Sequence, residues 1–168
     1  RAVVIGGGLL GLEAANGLKS KGMDVTVLHL MDSLMERQLD RSAGTLLQRE
    51  LERRGIAVLT GADTAEILGA EILGKERVSG VRLKNGQTLP ADLVVMAVGI
   101  RPNTALGRAA GLACGRGIQV DDAMATSDPA ILAVGEGVEH RGQTYGLVAP
   151  LFDLAKVATA RLAGGTEA

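Results

Sequence analysis

Aromatic side chains are nearly missing from this sequence: there is no tryptophan, one tyrosine, Tyr145, and one phenylalanine, Phe152. With 46% of 168 residues hydrophobic, the core must therefore be aliphatic, and there is ample material to build one. Cysteine is equally scarce. The single Cys114 excludes an internal disulfide and a paired-cysteine redox motif. With no basic or histidine partner near it in sequence, it reads as a small packing residue rather than a nucleophile. The two histidines, His29 and His140, are far apart and make a poor metal site, so no metal is expected. Neither sign of charge is in excess, with 18 basic against 19 acidic residues and a net charge of −1. Nothing here favours nucleic acid or an anionic membrane surface as a partner. No apolar run is long enough to span a bilayer, and the opening apolar segment is only a strand long and ends in glycines, unlike a signal peptide. A cytoplasmic protein is expected. A chain that opens on Arg1 directly before a strand, without an initiator methionine, reads as a segment cut from a longer protein.

Glycine, by contrast, is abundant, at 24 residues, and its first cluster organises the chain. Gly6-Gly7-Gly8-Leu9-Leu10-Gly11 follows the apolar run Ala2–Ile5 and opens a stretch of helical periodicity. Gly6, Gly8 and Gly11 occupy the three positions of a dinucleotide fingerprint. The first permits the turn, the second admits a pyrophosphate against the backbone, and the third lets helix and strand pack closely. The phosphates would sit on free N–H groups at the helix's positive end, which brings Leu9 and Leu10 into the binding set. A lone fingerprint is weak where glycine is common. Its context is specific, because a buried strand precedes it, Leu9, Leu12 and Leu18 mark a helix after it, and a second strand, Val25–Leu28, follows Lys21-Gly22.

The spacing then predicts a connection over 29–39, an amphipathic helix over Asp40–Arg54 stopped by Gly55, and a third strand, Ile56–Leu59. This βαβαβ order is one mononucleotide-binding half of a doubly wound sheet. From Asp63 to Pro90 the period changes to two, over Thr64–Leu68, Val78–Leu83 and Lys84–Leu89, with Asn85-Gly86 as a hairpin signal. The expected fold class is α/β, a Rossmann-like doubly wound parallel sheet with an inserted three-stranded antiparallel meander. A buried strand over Ala91–Gly99 ends on a glycine where backbone could approach a ligand, with Asp92 at its start read as a structural acceptor. A short helix, Thr104–Ala110, follows.

Beyond it the sequence suggests a domain boundary near residue 113, giving domains 1–113 and 114–168. A short strand at Ile118–Val120 and a strand over Pro129–Glu136 that closes on Gly135-Glu136 are expected. A linker containing His140-Arg141-Gly142 and an apolar helix over Ala149–Leu162 complete the reading. Two short strands and a helix bury too little surface to stand alone, so this segment reads as part of a larger domain, with an uncovered apolar helix face that suits a homo-oligomer contact.

The order of glycine fingerprint, three-strand meander, Ala97-Val98-Gly99-Ile100-Arg101-Pro102-Asn103 and then Thr126-Ser127-Asp128-Pro129 through Gly135-Glu136 resembles the two-dinucleotide-binding-domain flavoprotein reductases of the pyridine nucleotide-disulfide oxidoreductase family. Val27-Leu28-His29-Leu30-Met31, Glu36-Arg37-Gln38-Leu39-Asp40 and Glu139-His140-Arg141-Gly142-Gln143 are most similar to the branch that holds the large subunits of assimilatory nitrite reductases. The resemblance implies an NAD(P)H-binding domain followed by a C-terminal fragment of an FAD-binding domain. It also implies hydride transfer from nicotinamide to FAD as the parent chemistry, with sirohaem and iron–sulfur centres in downstream domains that these residues do not contain. Partners would be the nicotinamide dinucleotide, the remainder of the FAD domain and the metal-centre domains. A ferredoxin reductase or NADH oxidase relative and a stand-alone nucleotide-sensing module are the alternatives.

The resemblance further places Glu13 beside the nicotinamide carboxamide, although a carboxylate in a helix's first turn is equally accounted for by the macrodipole. Gly99 is assigned to the nicotinamide side, and Gly135 and Glu136 to the flavin's ribityl chain, where the family's usual residue is Asp. No residue is assigned to catalysis. At the end of the second strand, where the family carries an acid, this sequence has His29. A neutral His29 could accept a hydrogen bond from the adenosine ribose, and Asp32 would repel a 2′-phosphate, so NADH is expected over NADPH. The preference should shrink in acid as His29 gains charge.

Overall fold

In a computed structural model the chain divides into two compact units, Arg1–Gly99 and Ile100–Ala168. The structure describes residues 1–72 and 75–165. The expected meander crosses residues 73–74 and the expected C-terminal segment includes 166–168, and these lie outside the described residues.

The first unit runs β1 (Ala2–Ile5), α1 (Leu9–Ser20), β2 (Val25–Leu28), α2 (Arg41–Arg53) and β3 (Ile56–Leu59), then β4 (Thr64–Ile72), β5 (Lys75–Leu83), β6 (Thr88–Pro90) and β7 (Leu93–Met96). Strands β3, β2, β1 and β7 lie side by side in that order. Every pairing among them is parallel, with Ala2 opposite both Val25 and Leu93. Strand β1 is buried at all four residues because both faces of the sheet are covered. Its period-two alternation sorts Ala2 and Val4 into a core with Leu12 and Ala15 of α1 and Leu51 of α2. Val3 and Ile5 face the opposite core, with Val81 and Leu83 of β5. Helices therefore layer one face, and the antiparallel β4-β5-β6 sheet takes the place of a second helical layer on the other.

Local chemistry sets the element ends. Asp40 caps α2, its Oδ1 accepting from the Ala43 N–H at 2.8 Å, and Gly55 stops the helix at φ +77°. The Asn85-Gly86 turn forms, with Gly86 at φ +88° and the Gln87 N–H donating to Asn85 Oδ1 at 3.0 Å. It consumes Lys84–Gln87, so the third meander strand starts at Thr88 rather than at Lys84. Strand β7 is likewise shorter than expected. Asp92 lies before it and accepts from the Arg1 guanidinium at 3.2 Å, which holds its carboxyl down at about 2.

The second unit contains α3 (Ala105–Ala109), β8 (Ile118–Val120), β9 (Val138–His140) and α4 (Val148–Leu162). Strands β8 and β9 pair in parallel. Met124, Val138, Leu154 and Ala158 form its core. Here the structure corrects the sequence reading, because Pro129–Glu136 is not a strand. Thr126 and Asp128 satisfy the local backbone themselves, with the Ala130 N–H on Asp128 Oδ1 at 2.9 Å and the Ile131 N–H on the Asp128 carbonyl at 2.9 Å. Only a single bridge, Ala125 to Leu132, remains of the pairing, and Gly135 breaks the run at φ +96°. The strand instead follows at Val138–His140, inside the stretch read as a linker. There His140 Nε2 and the Arg141 guanidinium both bond Asp122, which pushes its carboxyl well below the usual range. The sequence drew a boundary near residue 113, whereas the compact units divide after Gly99.

Candidate functional site

The first candidate site is the carboxyl end of β1, where three glycines do three different jobs. Gly6 leaves the strand at φ +121°, a conformation that favours glycine. A Cβ on Gly6 would lie 2.2 Å from the Ala97 carbonyl oxygen, so the turn is closed down onto the end of β7. Gly11 brings α1 against the turn, since a Cβ there would lie 1.9 Å from the Gly6 carbonyl oxygen. Gly8 is different. It is the N-cap of α1 with no side-chain cap, and no described atom lies within 4 Å of the place a Cβ would take. The first N–H groups of α1, from Leu9, Leu10 and Gly11, precede the first in-helix bond, from the Leu12 N–H to the Gly8 carbonyl, and so have no intrahelical partner. Leu9 and Leu10 are 43% and 62% exposed.

Gly7, which the fingerprint leaves unassigned, is fully engaged from the other side. Its N–H donates to Nδ1 of His29 at 3.0 Å, and its carbonyl accepts from the Met35 N–H at 3.0 Å. A Cβ on Gly7 would meet Leu34 Cδ2 at 2.5 Å and His29 Cγ at 2.7 Å. Leu34 is fully buried here, and Met35 makes the approach at φ +54°. The segment after β2 is thus fastened to the middle of the glycine turn.

His29 is itself buried. Since Nδ1 accepts from Gly7, the ring proton resides on Nε2, which donates to Glu36 Oε2 at 3.0 Å. Both ring nitrogens are therefore occupied within the chain. Asp32 is paired with Arg41 at 3.0 Å, both well exposed. Glu13 is exposed on α1 and makes no ion pair among the described residues. Gly99 follows β7 at φ +103° with open space where a Cβ would stand.

Gly6, Gly8, Leu9, Leu10, Gly11, His29 and Gly99 all lie at or just beyond the carboxyl ends of β1, β2 and β7. Glu13 lies past the first turn of α1, not within it as the sequence reading places it, so the macrodipole argument for it loses its basis. From β1 the order steps to β2 on one side and β7 on the other, so the turn lies at the topological switch point, where ligands of open α/β sheets bind. Gly135 and Glu136 belong to the second unit, where Gly135 has open space at its Cβ position and Glu136 is exposed. Sequence reasoning missed Gly7, Leu34 and Glu36. The run of three successive glycines, with one more than the fingerprint uses, was the available signal for the first.

The family model described as pyridine nucleotide-disulphide oxidoreductase matches residues 1–161. Among curated relatives, the nitrite reductase [NAD(P)H] of Bacillus subtilis is 57% identical over 98% of this chain and 20% of its own length. The assimilatory nitrate reductase electron transfer subunit of the same organism is 48% identical over 98% of this chain and 21% of its own. The chain thus spans about a fifth of the length of these relatives. Among solved structures, the ferredoxin reductase for the CYP199A2 system from Rhodopseudomonas palustris superposes with a TM-score of 0.88 at 37% identity, over 99% of this chain and 42% of that one.

Proposed function

Because the chain belongs to the pyridine nucleotide-disulphide oxidoreductase family, we propose that it is the NADH-binding, electron-entry part of a flavin-dependent reductase of nitrite reductase type. One observation carries the reading: the uncapped N-terminus of α1 opens at Gly8 onto space that no described atom fills, at the sheet's switch point. The residues fit a dinucleotide. Gly6 and Gly11 pack the turn tightly, and Gly8 leaves the pyrophosphate room to reach backbone N–H groups, where the helix dipole adds to the attraction. Gly99 leaves the nicotinamide ring a face of bare backbone, and Glu13 accepts from its carboxamide.

When bound, the dinucleotide supplies a hydride, which in a flavoprotein reductase passes to FAD. The protein's own part is to hold the phosphates on α1 and orient the ring. FAD does not fit the described residues alone, because the sequence holds a single glycine fingerprint and Glu136 stands exposed. Gly135 and Glu136 are assigned to the ribityl chain only within a longer protein whose FAD domain residues 114–168 help to complete. The nitrite reductase assignment over a ferredoxin reductase or NADH oxidase rests on the 57% identity to the Bacillus subtilis enzyme. The domain that carries the substrate-reducing metal centre, and any homo-oligomer, belong to the whole protein.

The test is titration calorimetry of the chain with NADH. Saturable one-to-one binding, competed by ADP-ribose, is expected. Absence of binding by a folded chain would remove the reading.

A further inference from the structure

We propose that Glu36 is the residue that distinguishes NADH from NADPH: its carboxylate, held in place by His29, accepts the hydroxyls of the adenosine ribose and repels a 2′-phosphate. The proposal rests on the reading that the glycine turn binds a dinucleotide.

Dinucleotide folds of this kind place an acidic acceptor for the ribose just beyond the second strand. In this chain β2 ends at Leu28 and the next side chain, His29, has no nitrogen left to offer, because Gly7 occupies Nδ1 and Glu36 occupies Nε2. A single imidazole ring thus separates the phosphate-binding turn from the Glu36 carboxylate. Both ends of that bridge are 3.0 Å hydrogen bonds, so the carboxylate is fixed beside the turn on the β2 side.

Three further facts suit Glu36 to the task. Its Oε2 is bonded to His29, while Oε1 has no partner among the described residues and the side chain is 33% exposed, so an acceptor is left within reach of a ligand. The imidazole that holds it donates through Nε2–H while Nδ1 stays an acceptor, so it orients the carboxylate without cancelling its charge. The guanidinium of Arg41, which could otherwise attract a phosphate, is already paired with Asp32. Arg37, next in sequence, is exposed and makes no ion pair among the described residues. If it governed the choice, the preference would run the other way. His29 is then a positioning residue, and the acid that the sequence lacks at position 29 is supplied seven residues later.

The experiment is calorimetry of the full chain with ADP-ribose and 2′-phospho-ADP-ribose, which report on the adenosine end alone. Wild type should prefer ADP-ribose. Glu36→Gln should narrow that preference about tenfold through loss of one charge, while weakening ADP-ribose itself less than about tenfold. Glu36→Lys should reverse the preference. His29→Leu should lose discrimination, and His29→Gln, which restores a donor of similar reach, should recover part of it. Long-range proton–nitrogen spectra should show His29 protonated at Nε2. Wild type that binds neither ligand would overturn the dinucleotide reading and this proposal with it. Wild type that prefers ADP-ribose, with the ratio unchanged in folded Glu36→Gln and Glu36→Lys, would overturn only the proposal. So would a wild-type preference for the phosphorylated ligand.

Discussion

Two glycines three and six residues beyond the end of β1, Gly8 and Gly11, should fail in opposite ways when a side chain is added. At Gly8 the backbone is extended, at φ −86° and ψ −177°, a conformation any residue adopts, and a Cβ would meet no described atom. Gly8→Val should therefore fold, losing about 1 kcal/mol or less for a poorer N-cap. The isopropyl group would instead stand where the pyrophosphate approaches. If it denies the ligand two charge-assisted hydrogen bonds at about 1.5–3 kcal/mol each, the loss is about 3–6 kcal/mol, or roughly two to four orders of magnitude in Kd. At Gly11, alanine gains up to about 1 kcal/mol in helix propensity. That gain is overwhelmed, because its Cβ would lie 1.9 Å from the Gly6 carbonyl oxygen, a backbone atom that cannot swing aside. An overpacking cost of about 3 kcal/mol or more should lower Tm by several degrees. Calorimetry with NADH beside thermal melting separates the two. A Gly8→Val protein that melts like wild type and binds NADH with wild-type affinity would refute the reasoning.

Three further outcomes are expected. Gly7→Ala should lower Tm as well as NADH affinity, since its methyl would press on Leu34 and the His29 ring and cost about 1–3 kcal/mol; an unchanged melting curve would count against the contact. The Arg53 and Arg54 side chains hold the Glu50 carboxyl down from 4.5 to about 2. Its stabilisation is therefore present above pH 4.5 and lost as pH falls toward 2. Wild type and Glu50→Gln should differ most near neutral pH in low salt and converge near pH 2 in melting experiments. Purified alone, the chain should be colourless, and flavin bands in its absorption spectrum would contradict the assignment of FAD to a longer protein.

The sequence was legible where the physics is local. A four-residue apolar run into glycines, an aspartate before a helical period, and Asn-Gly between alternating stretches each act within a few residues. The corresponding β1, the Asp40 cap and the Gly86 turn are all in place. The 129–136 segment misled because its apolar content resembles a strand, while Thr126 and Asp128 draw its backbone into turns that hydropathy does not register. The alliance of Gly7, His29, Leu34 and Glu36 was out of reach for a different reason. It joins a turn to a loop 22 residues away, and no periodicity encodes which ring nitrogen meets which backbone donor. Position 29 was read from its place at a strand end, whereas the folded chain spends both of its nitrogens on neighbours.

The fastening of Gly7 to the loop after β2 also limits how such a protein could change its diet. The loop proposed to face the nucleotide's sugar and the turn proposed to hold its phosphates share two hydrogen bonds, from the Gly7 N–H to the His29 ring and from the Met35 N–H to the Gly7 carbonyl, and a buried leucine. A loop of another specificity grafted between residues 29 and 39 would arrive without the imidazole acceptor, and would strand a buried amide at the centre of the phosphate turn at a cost of about 1–3 kcal/mol. Selectivity and grip are inherited together, so a lineage switching cofactor would have to rewrite single residues around a retained His29 rather than exchange the loop whole.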